Sequence, residues 1–449
     1  MTPAIRTSAP TRRRTAGMTA IAGLSAAVLM LTACGPDTSG EEVETEAAEF
    51  DDVEPADSIT FWTNHPGDSH EIEAELIERF TEETGIEVDV VTAGANYEEV
   101  SQRFQTAQGS GDVGDVVILS DATWFPNYLN DSLAPVDGAL EAAEIDTDGY
   151  HEALYADYEY EDAHYGAPYA RSTPIFYYNK DHFAEAGLDD EAPETWEDVA
   201  ANGEAIMDED VTNAGFVFPA EDEYPGWTMA NLVWAYGGSW SDEWDFSPVS
   251  SDESVEALEF AQDATDEWAM VSSGDPADDF VSGAASQMVG STGSLAAVLE
   301  SSDFEVGVGY LPGGPAGEGE TPTGGAGMAI SAESEPEEQL AAAMFIGFMT
   351  SAEATADFSE AVGYMPVHQD ADMSELYEET PEFEVAVEQL GNARVQDNAR
   401  VFMPGGDLTL SQSLHSILTS DVDVAEEMEA LEEEFQSLYD SDLKSEVED

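Results

Sequence analysis

A chain of 449 residues with 98 acidic and 11 basic side chains carries a formal charge of −87, which excludes the basic footprint that nucleic-acid binding requires. Its hydrophobic fraction of 42% and aromatic fraction of 10% are those of a globular protein, which excludes a disordered polyanion. The single cysteine, Cys34, excludes a disulfide framework and a thiolate metal site.

Residues 1–19 carry Arg6, Arg12, Arg13 and Arg14 and no acid, and residues 20–33 are almost wholly small or apolar. A basic segment before a short apolar run is the pattern of a secretory signal, and the run is shorter than the ~20 residues that span a bilayer. Leu31-Thr32-Ala33-Cys34 resembles a bacterial lipobox, in which the cysteine is lipidated and opens the mature chain. The alternative is an ordinary cleavage site with a cysteine nearby. Cleavage before Cys34 leaves seven basic against 98 acidic side chains, a formal −91. Self-repulsion at that level opposes compaction in dilute buffer. At ~1 M salt the Debye length falls to ~3 Å, so the composition suits salty surroundings. Residues 34–57 read as a solvated acidic tether, with ten acids and no base in 36–57; at ~3.3 Å per residue it reaches up to ~70 Å.

Order is expected from Ser58. "SITFW" reads as a buried strand and 69–84 as a helix capped by Ser69, with Ile72, Leu76 and Phe80 on one face and Gly85 ending it. "IEVDVV" (86–91) is a strand, and 97–108 a helix with Val100, Phe104 and Ala107 on one side. "DVVILS" (115–120) is an apolar run, as in a strand covered on both faces. Alternating strand and helix predicts parallel pairing with right-handed crossovers. Ligands of such sheets gather beyond the carboxyl ends of the strands, which selects Thr63 and Asn64, Asn96 and Tyr97, and Asp121. Further on, "IFYYNK" (175–180) opens a strand, followed by helices at 181–186 and 195–206 with a turn at Gly187 between them. Strands are expected at 304–312 and 324–332, and helices at 336–349, 351–361 and 423–439. No fixed-period repeat and no internal membrane span is found.

The stretches "FWTNHPGDSHEIEAELIERFTEETGIEV", "STPIFYYNKDHFAEAGL", "APETWEDV", "GSTGSLA" and "GYMPV" together resemble the extracellular solute-binding proteins of carbohydrate ABC importers, and within them the glycerol-3-phosphate-binding branch. The resemblance covers essentially all of 58–440. It implies an α/β fold of two lobes joined by hinge segments and closing on ligand, with lobe 1 at 58–168 and 305–357 and lobe 2 at 169–304 and 358–449. It also implies capture of glycerol-3-phosphate, a glycerophosphodiester or a sugar, delivery to ABC permease subunits in the membrane, and work as a monomer without cofactor or metal at the outer face of the cytoplasmic membrane.

The resemblance gives Tyr97 a ligand contact, where the residues alone also allow a helix-start tyrosine packed on the sheet. Asp121 matches a carboxylate that accepts bonds from ligand hydroxyls, or it is an N-cap. Ser172, in "ARSTP", lies at the expected hinge with a hydroxyl suited to a polyol, while its neighbour Arg171 either meets ligand or pairs with a carboxylate. Ser291 and Ser294 flank Gly293 in "GSTGSL" at an expected helix start, where free N–H groups hold anionic oxygen or merely cap. Gly325, with Gly324, allows close backbone approach or forms a turn. Trp227, in "YPGWT", matches a family aromatic that stacks on ligand, its indole N–H remaining available, whereas Trp234, Trp240 and Trp244 are read as core or lobe surface. Tyr364, in "GYMP", resembles a family contact tyrosine. The branch holds phosphate with an arginine in the C-terminal third; in "NARVFMPGGD" Arg400 stands off that position, which favours a neutral sugar or a phosphodiester.

The rival class is a secreted glycoside hydrolase, which needs two carboxylates ~5–10 Å apart across a cleft. No G-x-S-x-G elbow and no H-E-x-x-H pattern occurs. Tyr177 and Tyr178 are not expected to share a metal ion, since neighbours on a strand face opposite ways.

Overall fold

The computed structural model describes residues 50, 52–64, 68–111 and 113–447. The signal, Cys34 and most of the tether lie outside the described residues. The strands in chain order are β1 (Ser58–Thr63), β2 (Glu87–Thr92), β3 (Val116–Ser120), β4 (Leu133–Ala134), β5 (Glu159–Tyr160), β6 (Ala163–His164), β7 (Ala167–Ser172) and β8 (Pro174–Asn179). They continue with β9 (Phe216–Phe218), β10 (Ala269–Val271), β11 (Gln287–Ser291), β12 (Val306–Gly309), β13 (Thr321–Pro322), β14 (Gly324–Ser331) and β15 (Ala393–Arg394). A six-stranded sheet has the order β2-β1-β3-β14-β4, with β7 also paired to β14, and a five-stranded sheet has the order β10-β9-β11-β8-β12.

The expected parallel unit is present: β1 pairs in parallel with both β2 and β3. Helix α1 (Asp68–Thr84) and helix α2 (Tyr97–Ala107) make the crossovers. Period-two alternation explains why "VVILS" is apolar throughout. Val116 and Ile118 enter one core with Phe61, Phe80 and Phe345, while Val117 and Leu119 enter another with Trp62 and Phe104. The helix Pro336–Met349 is apolar on nearly all sides and is correspondingly buried beneath this sheet. In the second sheet Ile175 and Tyr177 face one core, and Phe176 and Tyr178 face the other. The two tyrosines therefore diverge, as strand geometry requires.

Several expectations need correction. Ser69 lies inside α1, which begins at Asp68, so it does not cap it. β14, whose direction the sequence left open, runs antiparallel to β3, β4 and β7, because it enters from the other sheet and no helical crossover sets its direction. The tether ends before 57: Phe50 is buried in the first core, and the Ala56 N–H donates to the Glu337 carbonyl at 2.8 Å. The chain passes between sheets three times, at two places different from those expected. The first passage is at Thr173, between β7 and β8, within the expected hinge. The second falls after Gly309 rather than near 304, because β12 pairs with β8. The third falls after the helix Ala352–Val362 rather than near 358, since Phe358 packs in the first core while Phe383 packs in the third.

Two contacts lock this frame. Phe402 meets Phe125 and Trp124 with ring centroids 4.8 and 5.9 Å apart, joining the C-terminal segment to the first lobe. Arg171 is wholly buried at the end of β7, paired with Asp157 and donating to the Tyr158 hydroxyl at 2.9 Å. Burial raises Asp157 to about 6 even against Arg171. Arg171→Met leaves that carboxyl buried without its countercharge, and urea unfolding should show a loss of ~3–5 kcal/mol. Arg171→Met with Asp157→Leu should recover most of it, and a double variant as weak as the single one would show that the pair is not what matters.

Candidate functional site

A cavity of about 220 Å³ lies between the lobes. The carboxyl ends of β2 and β3 supply Tyr97 and Asp121, the passage from β7 supplies Ser172, and β14 supplies Gly324 and Gly325. The lining also includes Trp227, Ser291, Ser294, Tyr364, Arg400 and Asp407. Tyr97, Asp121, Ser172, Trp227, Ser291, Ser294, Gly325, Tyr364 and Arg400 therefore line one cavity, whereas Thr63, Asn64 and Asn96, selected by the strand-end rule, lie outside its lining. Asn64 is buried outside the lining, and its side-chain oxygen has no hydrogen-bond partner among the described residues.

Local chemistry fixes each position. Asn96 caps α2 by accepting the Glu99 N–H at 2.9 Å, which sets Tyr97 and Glu98 at the head of that helix. The Tyr97 and Tyr364 hydroxyls stand 3.4 Å apart, and burial lifts both phenols above the ordinary tyrosine range. Gly325 has φ +92°, and a Cβ there would sit 2.2 Å from the Ala170 carbonyl oxygen. Only glycine permits that approach, and the Gly325 carbonyl then accepts the Asp121 N–H at 3.2 Å. The Trp227 indole lies against Gly324, where a Cβ would come within 2.6 Å of the ring. Its N–H is not available as expected, because it donates to the Thr323 carbonyl at 3.0 Å. The Ser291 hydroxyl accepts the Gly293 N–H at 3.0 Å, so it acts as a cap for the turn Thr292–Ser294. Ser294 lines the cavity without a side-chain cap bond.

Arg400 is 4% exposed and stands in the cavity wall despite its displaced place in the sequence. It donates through Nη1 to Asp121 at 3.0 Å and through Nε to Asp407 at 3.0 Å, and it also bonds Gln396, whose amide in turn meets Asp121. Nη2 makes no hydrogen bond among the described residues. Burial alone would lower its pKa, but Asp407 and Asp121 override that and hold the guanidinium charged. Burial lifts Asp407 above the usual carboxylate range, with Arg400 opposing.

Five acids line the cavity (Glu98, Asp121, Glu223, Asp275 and Asp407) against one base. Of these, sequence reasoning named only Asp121. No signal singles out the others among 98 acids, although "GGD" marks a helix start at Asp407 and "YPGW" a turn before Trp227. Tyr224, also missed, is a non-glycine residue held at φ 52°, a conformation that costs ~1–2 kcal/mol. The seven bases after Cys34 are all engaged. Arg79, Lys180, Arg394 and Lys444 pair with surface carboxylates, Arg171 and Arg400 with buried ones, and Arg103 stacks on Trp62.

Two mixed sheets joined by three passages around a polar cavity define a two-lobed ligand-binding protein. The sequence model of the bacterial extracellular solute-binding proteins matches residues 75–385. The crystal structure of UgpB from Mycobacterium tuberculosis in complex with glycerophosphocholine superposes with a TM-score of 0.82 at 37% identity, over 85% of this chain and 98% of that one. The sn-glycerol-3-phosphate-binding periplasmic protein UgpB of Escherichia coli (strain K12) is 25% identical over 359 residues, 75% of this chain and 81% of its own. The GacH receptor of Streptomyces glaucescens shares the fold, with a TM-score of 0.74 at 20% identity over 86% of this chain and 98% of that one. The chain belongs to the bacterial extracellular solute-binding protein family. Among the described residues no helix is long and apolar enough to cross a membrane, and no group of side chains is arranged to hold a metal ion.

Glu223 gives a direct test of the cavity's electrostatics. Burial, then Asp275, Asp222 and Asp278, push it up to about 7, against ~4.3 in an unfolded chain. The folded state binds the extra proton between those values, so stability falls as pH rises through that window. Glu223→Gln stays neutral, and its gain in melting temperature over wild type should grow between about pH 5 and about pH 8. A constant difference across that range would show an ordinary carboxyl.

Proposed function

We propose that this protein is the lipid-anchored receptor of an ABC importer that captures a glycerophosphodiester between its lobes and delivers it to a membrane permease. The observation that carries the reading is the single cavity arginine, Arg400, set among five carboxylates. A phosphate monoester approaches two negative charges at neutral pH, and one arginine already shared by two aspartates matches that poorly. A phosphodiester carries one negative charge, and a cationic or neutral alcohol on it suits the carboxylate excess. The relative that shares 37% of this sequence was crystallised with glycerophosphocholine, which supports the same choice. Glycerol-3-phosphate and neutral sugars are the weaker ligands of this reading.

In this reading Arg400 Nη2 takes a phosphate oxygen, Asp121 and Ser172 take hydroxyls, and Trp227, Tyr97 and Tyr364 supply apolar faces for C–H groups. Closure follows because Asp121 belongs to one lobe and Arg400 to the other, so a ligand touching both is held only when they meet. The protein acts as a monomer, binds no nucleic acid and leaves its ligand chemically unchanged. The hydrolase alternative has no support from the family or its relatives.

Calorimetry with glycerophosphocholine should give a dissociation constant that Arg400→Met weakens by at least ~100-fold and Trp227→Ala by at least ~10-fold, as for charged and aromatic hot spots. Wild-type affinity in Arg400→Met would remove phosphate recognition from this site. Cys34→Ser should release the protein from the cell surface into the medium; retention would end the anchor assignment. The melting temperature should rise between ~0.1 M and ~2 M salt as surface repulsion is screened, and a fall would contradict adaptation to salt.

A further inference from the structure

Glu98, Ala122, Tyr224, Arg400 and Asp407 face the ligand cavity on one side and a second chamber on the other. That outer chamber measures about 400 Å³ and lies between α2 and the helix Gly406–Thr419, so both lobes build it. Its further lining mixes amides and hydroxyls, from Asn96, Gln102, Gln105, Thr123 and Ser411, with the carboxylates Glu221 and Asp222 and with apolar surface from Pro126, Met403 and the exposed Leu408. The partition between the chambers includes two unusual residues. Arg400 is the only base lining either chamber, and Tyr224 is held in the left-handed backbone region.

We propose that the outer chamber is a second subsite, which takes the hydroxyl-rich alcohol of a glycerophosphodiester, and that Tyr224 is the specificity-determining residue at its threshold. The inference rests on the phosphodiester reading above and deepens it. A phosphate bonded to Arg400 sits at the junction of the chambers. A monoester has one arm and fills one of them, whereas a diester has two arms leaving a tetrahedral centre in different directions. One arm occupies the inner cavity and the other passes Tyr224 into the outer chamber. The amides and hydroxyls there pair with a polyol such as glycerol or inositol. Glu98, Glu221, Asp222 and Asp407 reject an alcohol that carries a further negative charge. Tyr224 lines both chambers, and Glu98 and Asp407 line them with it.

The test fills the chamber and leaves the inner cavity alone. Gln105→Trp, at a half-buried position on α2, and Gln102→Trp, at an exposed one, are titrated calorimetrically with glycerophosphoinositol and with glycerol-3-phosphate. At least one variant should lose glycerophosphoinositol affinity by about tenfold or more and keep glycerol-3-phosphate affinity within about twofold. Loss of both ligands in equal measure, or of neither, overturns the subsite. Wild-type protein that binds glycerol-3-phosphate or glycerophosphocholine but not glycerophosphoinositol also overturns it, while leaving the receptor reading intact. Wild-type protein that binds none of the three overturns both.

Discussion

The guanidinium of Arg400 is the charge around which the molecule is organised. It is buried, it comes from one lobe, and it is satisfied by a carboxylate from each side of the cleft, Asp121 and Asp407. A buried cation of this kind is tolerable only with paired charges and good hydrogen bonds. Everything needed to place those partners is therefore constrained. β3 must end at Asp121, the helix at Gly406–Thr419 must begin at the cavity, and Gly226 must be small, since a Cβ there would lie 2.9 Å from the Asp407 carboxylate. In the proposed reading the same arrangement makes the cleft selective. Its one positive charge is already balanced, so a guest gains by bringing its own compensating charge or none beyond a single phosphate.

The first lobe was legible because its signals are local. Apolar runs and helical spacing operate over a few residues, and the strands and helices of 58–120 fall within one or two residues of their expected bounds, although the cap expected at Ser69 is not formed and the one at Asn96 was not anticipated. The loops at strand ends followed from a general rule of parallel sheets, which located Tyr97 and Asp121 without any family. Pairing between distant segments was not legible. Nothing near Val306 says that it will lie beside Asn179, and nothing near Phe358 says that its helix will return to α1. The direction of β14 was hidden for the same reason. Arg400 was a related case: its linear position misled, while the fold brings it to the cavity by way of a short helix, Asn398–Val401. The acidic lining was hidden by abundance, since a residue type that fills the surface carries no local signal in the cleft.

The three passages between sheets give the two lobes a common spine. Thr173 and Thr292 exchange hydrogen bonds, with the Thr292 N–H donating to the Thr173 carbonyl at 2.9 Å, and Met365 donates its N–H to the Arg171 carbonyl at 2.8 Å. The Met365 bond ties the third passage to the first, and the Thr292 bonds tie the first passage to the end of β11. The aromatic contact of Phe402 with Trp124 and Phe125 adds an apolar contact between the lobes, two residues along the chain from Arg400 and its polar ones. Relative motion of the lobes must break both kinds of contact at once, which favours discrete arrangements over a continuum.

The complete engagement of the bases has a kinetic consequence. With every Lys and Arg after Cys34 already held by a carboxylate or an aromatic ring, and with 98 acidic against seven basic side chains from Cys34 onward, the net field of the chain is that of a polyanion. An anion drifting toward the cleft climbs a potential barrier, and added electrolyte flattens that climb within a few ångströms of the surface. A zwitterion meets the same field as a torque rather than a barrier. It turns its ammonium end toward the mouth of the cleft before contact, so the order in which its two ends enter is decided in solution.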